Sequence, residues 1–194
     1  MTYAALRRAV RGEIAQEHRY AHSVRVARMA ELLAQVHRAD TGRARTAGML
    51  HDLARLYSIE RLVSECAARG LTVDAFERAN PIVLHARLGA EFARERFGVT
   101  DEVVLSAIRK HTLAAAEMSL LDEILYLADG LEPGRDFPGH ERLAALAFVD
   151  VRAAMRAVLE STIDYLQSRG LAPAPQTLAA LQRYRHAEKE SLSA

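Results

Sequence analysis

The sequence has few of the residues that mark secreted or membrane-spanning proteins. Its single cysteine, Cys66, excludes an intrachain disulfide and favours a reducing compartment. No apolar run is long enough to cross a bilayer. The first fifteen residues carry Arg7, Arg8 and Arg11 and have no apolar segment of signal-peptide length. We therefore expect a cytoplasmic protein without a membrane segment.

An excess of charge of one sign is also missing. The 26 lysines and arginines are balanced by 25 aspartates and glutamates, which gives a formal net charge of +1. Such a chain has no overall electrostatic field that favours nucleic acid as a partner. An anionic substrate would have to be met by a local group of cations.

Proline and glycine are sparse, with five and ten residues among 194, and they fall mainly between segments of helical periodicity. Half of the residues are hydrophobic and 26% are charged, which is ordinary globular composition. Alanine, leucine, arginine and glutamate dominate, and all favour helices. We find no alternating strand pattern, so the predicted fold is an all-α, compact helical bundle, and the length favours a single domain over residues 1–194.

Apolar spacing and capping residues predict the positions of the helices. Asp40 or Thr41, Ser58, Thr100 and Ser119 are the expected caps, and residues 133–139 form a loop with glycines and prolines at both ends. Residues 189–194 are expected to fray. The predicted helices cover about residues 6–14, 18–37, 40–56, 58–70, 80–98, 101–111, 119–129 and 149–169, with a last one after Pro175.

Ionisable residues recur in these apolar segments, where burying one without a partner is costly. Imidazoles and carboxylates without a thiolate suit iron, manganese or zinc, and they argue against a structural zinc site. Six such ligands are enough for two metal ions that share a bridging carboxylate, and Asp52 is the candidate bridge because it follows His51. The predicted ligands are His22, His51, Asp52, His85, His111 and Asp129.

Each of these residues also has a simpler explanation when it is taken alone. A single histidine on an apolar helix is more often a hydrogen-bonded core residue than a ligand, and Asp129 could cap a neighbouring helix. This simpler explanation is weakened because it would have to hold independently at every position. The other four histidines, His18, His37, His140 and His186, lie in more polar surroundings and are interpreted as surface residues.

The motifs around these ligands resemble the HD-domain superfamily of metal-dependent phosphohydrolases, and more closely its bacterial YqeK family. Their order along the chain makes the resemblance specific, and it covers about residues 19–137. The motifs are Arg19-Tyr20-Ala21-His22-Ser23, Leu50-His51-Asp52, Leu84-His85, Ala107-Ile108-Arg109-Lys110-His111-Thr112 and Ala128-Asp129-Gly130-Leu131-Glu132-Pro133-Gly134-Arg135.

The resemblance implies an HD fold whose core spans about residues 18–137, with C-terminal helices of about 140–188 packed on it. It implies a homodimer and two metal ions of iron, with manganese or zinc as the other options. His22, His51, Asp52 and Asp129 would hold one ion, whereas His85 and His111 would hold the second, with Asp52 as bridge. The implied activity is symmetrical hydrolysis of diadenosine tetraphosphate to two ADP.

In the expected mechanism, a hydroxide activated by the two ions attacks phosphorus, so Asp52 counts as catalytic. Arg135 is assigned to catalysis and to phosphate binding because it follows Asp129 in a loop. Further cations or hydroxyls beside the ligand motifs are candidate substrate contacts, although a solvated helix face or a helix cap explains each one alone. These candidates are Arg19, Arg55, Lys110 and Thr112. Glu132 is expected to orient a histidine or an arginine.

Two other functions stay open at this point. HD folds host several substrates, so the chain could be a nucleotidase or another phosphohydrolase acting on nucleoside phosphates. It could also be a degenerate domain that binds a nucleotide or a protein without catalysis. The reaction products distinguish a hydrolase of diadenosine tetraphosphate from a nucleotidase. Loss of one or more ligands would favour the domain without catalysis.

Overall fold

The computed structural model describes residues 1–192, with side chains to residue 186, and these residues form eleven α-helices and no strand. The all-α prediction is therefore confirmed, whereas the expected fraying of residues 189–194 falls outside the described side chains. The helices are α1 (Tyr3–Glu13), α2 (Glu17–Val36), α3 (Thr41–Leu50), α4 (Ile59–Ala68), α5 (Ala75–Ala79), α6 (Leu84–Phe97), α7 (Glu102–Lys110), α8 (Leu120–Leu131), α9 (His140–Val149), α10 (Val151–Ser168) and α11 (Pro175–Leu192).

Side-chain caps start several of these helices where the sequence predicts them. Asp40 caps α3 by accepting a hydrogen bond from Arg43 N, and Ser58 caps α4 in the same way. Ser119 and Asp122 form a reciprocal capping box at the start of α8. At α7 the cap is Asp101, whose carboxylate accepts from Val103 N, and not the expected Thr100.

The third predicted helix is too long, because α3 ends at Leu50 and the chain continues in tight turns through residue 57. Successive residues of a regular helix point about 100° apart. The turn that begins at His51 instead lets His51 and Asp52 both face the same buried region. The fifth helix also begins later than expected, with a 3-10 turn over Pro81–Val83 before α6. Helix α5 was not predicted, and α9 was predicted only as part of the C-terminal helices of about residues 140–188.

The deepest layer of the bundle consists of α2, α3, α6, α7 and α8, which supply most of the large buried apolar residues. Helices α2 and α3 lie so close that a Cβ added to Gly48 would be 2.6 Å from Ala27 Cα. Only glycine fits this crossing, because a side chain would push the two helices apart. The crossing brings the end of α3 beside the middle of α2. Within the described residues, no helix is long and apolar enough to cross a membrane.

Candidate metal centre

The six predicted ligands come together at the middle of this deep layer. Helix α2 supplies the first histidine, the turn after α3 supplies the His-Asp pair, and α6, the end of α7 and α8 supply the others. Five of the six are no more than 6% exposed, and Asp129 is partly exposed at the mouth of a cleft. These predicted ligands are His22, His51, Asp52, His85, His111 and Asp129.

Three of the four histidines use Nδ1 to bind a backbone carbonyl three residues earlier in the chain. A carbonyl can only accept a hydrogen bond, so Nδ1 carries the proton and Nε2 keeps a free lone pair. The acceptors are Gly48 O for His51 at 2.7 Å, Ile82 O for His85 at 2.6 Å, and Ile108 O for His111 at 2.7 Å. Such a contact fixes the tautomer and the ring orientation that a metal ligand needs.

The Nε2 atoms converge in two pairs. The His22 and His51 Nε2 atoms are 3.3 Å apart, and the His85 and His111 Nε2 atoms are 3.2 Å apart. Two nitrogens bound about 2.1 Å from one ion, at angles of 90° to 110°, are separated by about 3.0–3.4 Å. Lone pairs at this distance repel unless a proton or a cation lies between them. The donor set therefore fits metal binding, and the cluster can hold metal ions.

Asp52 lies between the two pairs and turns one oxygen toward each. Its Oδ2 is 3.8 Å from His22 Nε2 and 3.6 Å from His51 Nε2, whereas Oδ1 is 3.4 Å from His85 Nε2 and 3.8 Å from His111 Nε2. Asp129 Oδ1 joins the first pair at 3.1 Å from His22 Nε2. We call His22, His51 and Asp129 the first ligand group, and His85 and His111 the second ligand group.

The environment keeps two of the predicted ligands, His111 and Asp52, in their metal-binding protonation states. Burial, together with the charges of His51 and His85, lowers the pKa of His111 to about 3. Burial alone raises the pKa of Asp52, but His51 and His85 hold it well below its usual value. At neutral pH His111 is therefore uncharged and Asp52 is ionised, which are the forms that bind a metal.

A buried carboxylate supports the first ligand group from behind. Glu132, 1% exposed, lies 3.1 Å from His22 Nδ1 and accepts hydrogen bonds from Arg25 Nε at 2.5 Å and from Gly134 N at 2.6 Å. Burial raises the pKa of Glu132, but the hydrogen bonds from Arg25, Gly134 N and His22 together outweigh it and bring the pKa to about 2. Glu132 thus contacts both a histidine and an arginine, as the predicted orienting role requires. Arg25 was missed, because its part depends on a residue 107 positions later in the chain.

Two of the arginines that are predicted to bind substrate lie against carboxylates of the predicted ligands. Arg19 Nη1 lies 3.3 Å from Asp52 Oδ2. Arg135 donates to the backbone carbonyl of Asp129 at 2.9 Å and to its Oδ1 at 2.6 Å. Arg55 and Thr112 line the same cleft, which has a volume of about 330 Å³.

Lys110 is not brought to this cleft, and its expected place there is corrected. Its ammonium donates to Asp122 Oδ2 at 2.8 Å and to Glu117 O at 2.9 Å, and it lines a separate cavity. Lys110 precedes a ligand in the sequence, but neighbouring positions on a helix point about 100° apart. The ion pair with the fully buried Asp122 explains why this lysine faces away from the cluster.

The remaining histidines divide into two kinds. His18 and His186 are exposed, as expected. His37 and His140 are half-buried, and each lies within hydrogen-bond distance of a backbone carbonyl, Ala147 O at 2.7 Å and Leu131 O at 3.1 Å. The surface interpretation is wrong for these two, which link helix ends to neighbouring elements.

Comparison with known proteins identifies an HD domain over the part of the chain that contains the cluster. The family model for the HD domain matches residues 19–134. The symmetrical bis(5'-nucleosyl)-tetraphosphatase of Halalkalibacterium halodurans is 37% identical over 84% of this chain and 87% of its own length. The protein of the same name from Bacillus subtilis is 34% identical over 83% of this chain and 86% of its own length.

A solved structure shares the whole architecture. It comes from Clostridium acetobutylicum and is described as a predicted HD superfamily hydrolase involved in NAD metabolism. It is 31% identical, with a TM-score of 0.91 over 96% of this chain and 98% of that one. The chain belongs to the HD-domain family, together with its relatives named symmetrical bis(5'-nucleosyl)-tetraphosphatase.

Proposed function

We propose that this protein hydrolyses diadenosine tetraphosphate symmetrically to two ADP with two bound metal ions, for which iron is the first candidate. The observation that carries the proposal is the pair of ligand groups on either side of Asp52. This arrangement occurs in a chain that aligns over 84% of its length with a relative named for this activity.

The chain's own residues have clear tasks in this reaction. Bound ions would activate a water molecule and neutralise charge on the phosphate. Asp52 holds both ligand groups in register, since its two oxygens face different histidines. Arg135 and Arg19 sit beside ligand carboxylates at the cleft, where their guanidinium groups can bind phosphate oxygens in a forked geometry. Arg55 adds a further cation along the cleft wall.

The test combines metal analysis with product analysis. Anaerobically purified protein is assayed for iron, manganese and zinc, and it is then incubated with diadenosine tetraphosphate, ADP, nucleoside monophosphates and NAD. The expected result is about two metal ions per chain and ADP as the product from diadenosine tetraphosphate. Release of phosphate from nucleotides, without cleavage of the dinucleotide, would instead support the nucleotidase alternative.

The proposal also covers assembly and location. The family resemblance supports a cytoplasmic homodimer, and light scattering coupled to size-exclusion chromatography measures the mass in solution. A mass of one chain, 21.5 kDa, at all concentrations would refute the dimer and leave the activity proposal intact.

A further inference from the structure

A second cavity opens directly from the metal cleft. It has a volume of about 730 Å³ and lies between the loop of residues 133–139 and helix α10. We call it the loop groove. Four residues line both the groove and the cleft, so that the two form one continuous space: Gly130, Arg135, Val158 and Thr162.

The lining of the loop groove combines a flat apolar surface with hydroxyl groups. Val158 and Leu143 are 6% and 3% exposed and form its floor. Phe137 lines the groove from the loop, half-buried and packed edge-on against His140 at 5.3 Å. Tyr165 on α10 is 62% exposed, which is unusual for an aromatic side chain that lines a cavity. Ser161 and Thr162 supply hydroxyls. This composition is typical of a site for a planar base attached to a sugar.

The position of Arg135 determines which end of a bound molecule should face the metal centre. Arg135 stands where the groove meets the cleft, and its guanidinium is fixed by two hydrogen bonds to Asp129. A molecule that lies in the groove and reaches the ligand groups must pass this cation, so the part that passes it should be anionic. A nucleoside with a phosphate chain has this order of groups.

We propose that the loop groove binds one nucleoside of the substrate, with its base against Tyr165 and Phe137. The phosphate chain would run past Arg135 to the metal centre. This inference rests on the proposed function for the identity of the substrate, but not for the binding of a nucleoside itself. Tyr165 is then a determinant of specificity for nucleoside polyphosphates over inorganic polyphosphate.

The absence of tryptophan from the chain makes the binding test direct. In Tyr165→Trp, the only tryptophan lies in the groove, and stacking of adenine should change its fluorescence. The matched control is Gln167→Trp, which puts an equal reporter at an exposed position on the same helix that does not line the groove. We expect ADP, added to the metal-loaded full chain, to quench the first variant saturably and leave the second unchanged. Equal responses, or no response in Tyr165→Trp where calorimetry detects ADP binding, would overturn the proposal.

Kinetics provide a second, independent measurement. Tyr165→Ala should raise KM for diadenosine tetraphosphate about 5- to 50-fold, as expected for the loss of one stacking partner. Tyr165→Phe should restore the wild-type value, because the ring remains. Inhibition by inorganic tripolyphosphate should weaken far less than the dinucleotide KM rises. An unchanged KM in Tyr165→Ala, or an equal loss for both compounds, would refute a base contact.

The two proposals fail in different ways. ADP-dependent quenching in Tyr165→Trp, in a protein that does not cleave the dinucleotide, would refute the proposed reaction and retain the nucleoside site. Symmetrical cleavage without such quenching, while calorimetry detects ADP binding, would refute the loop groove alone.

Discussion

The two ligand groups of the metal centre are held in place by different kinds of contact. In the first group, His22 contacts the buried Glu132, and Asp129 is bound by Arg135. In the second group, His85 and His111 are fixed by the backbone carbonyls of their own helical turns. In the first group only His51 is held by a backbone carbonyl, Gly48 O, whereas His22 and Asp129 are oriented by charged side chains from distant parts of the chain. Both histidines of the second group are oriented by local backbone geometry.

Because of this difference, the two groups should respond differently to substitutions of the residues around them. A network of charged side chains can be weakened by a substitution that touches no ligand, because Glu132 and Arg25 lie behind His22. A carbonyl acceptor cannot be removed in this way. The second group should therefore tolerate changes around it better than the first group does. Among the described residues, no cationic side chain forms a hydrogen bond or an ion pair with His85 or His111, and the nearby Lys110 ammonium is paired with Asp122 instead.

The largest effect should follow from removing the residue that both groups share. We expect Asp52→Ala to abolish hydrolysis and to strip both ions, because its two oxygens face different groups. Elemental analysis and an assay for ADP release measure the two consequences. A variant that keeps both metal ions and full activity would contradict the assignment of Asp52 as the bridging ligand.

Removing one histidine from each group should produce smaller and distinguishable losses. His85→Ala should reduce the metal content from two ions to one, since the first group keeps His22, His51 and Asp129. His22→Ala should spare the second group in the same way. Metal content per folded chain, with circular dichroism as the folding control, gives the answer. If either variant loses both ions, the two groups are not independent.

Substitutions of residues that contact the ligand histidines compare the two groups. Glu132→Gln, which changes the partner of His22 Nδ1, should weaken metal affinity by about 10- to 100-fold, the usual cost of removing such a partner. Thr112→Val is the comparison at the second group, where the hydroxyl lies on the cleft side, 3.2 Å and 3.1 Å from the two Nε2 atoms. It should cost much less, because the carbonyl contacts remain. Competition with a chelator measures both affinities, and equal losses would show that the distinction between the groups is wrong.

The sequence predicted which residues would cluster more completely than it predicted the residues that support them. Each predicted ligand interrupts an apolar segment, and such an interruption is visible without a structure. Gly48 and Arg25 carry no local signal, because one matters through contact with Ala27 and the other through Glu132. The break after α3 was missed for a similar reason. Leu53, Ala54 and Leu56 have a spacing that also suits a helix, whereas the structure has successive turns over residues 51–56.

The smallest effect on catalysis should come from Lys110, which lies next to a ligand in the sequence but away from the cleft in the fold. Lys110→Met should change KM for the dinucleotide less than twofold, whereas Arg135→Met should raise it about tenfold through the loss of a charged contact to phosphate. The lysine variant should instead unfold more easily, by about 1–3 kcal/mol, because the buried Asp122 loses its cation. Steady-state kinetics and denaturant unfolding separate the two outcomes. A tenfold rise in KM at unchanged stability would show that Lys110 contacts the substrate. The second ligand group would then have a neighbouring cation, which the structure instead pairs with Asp122.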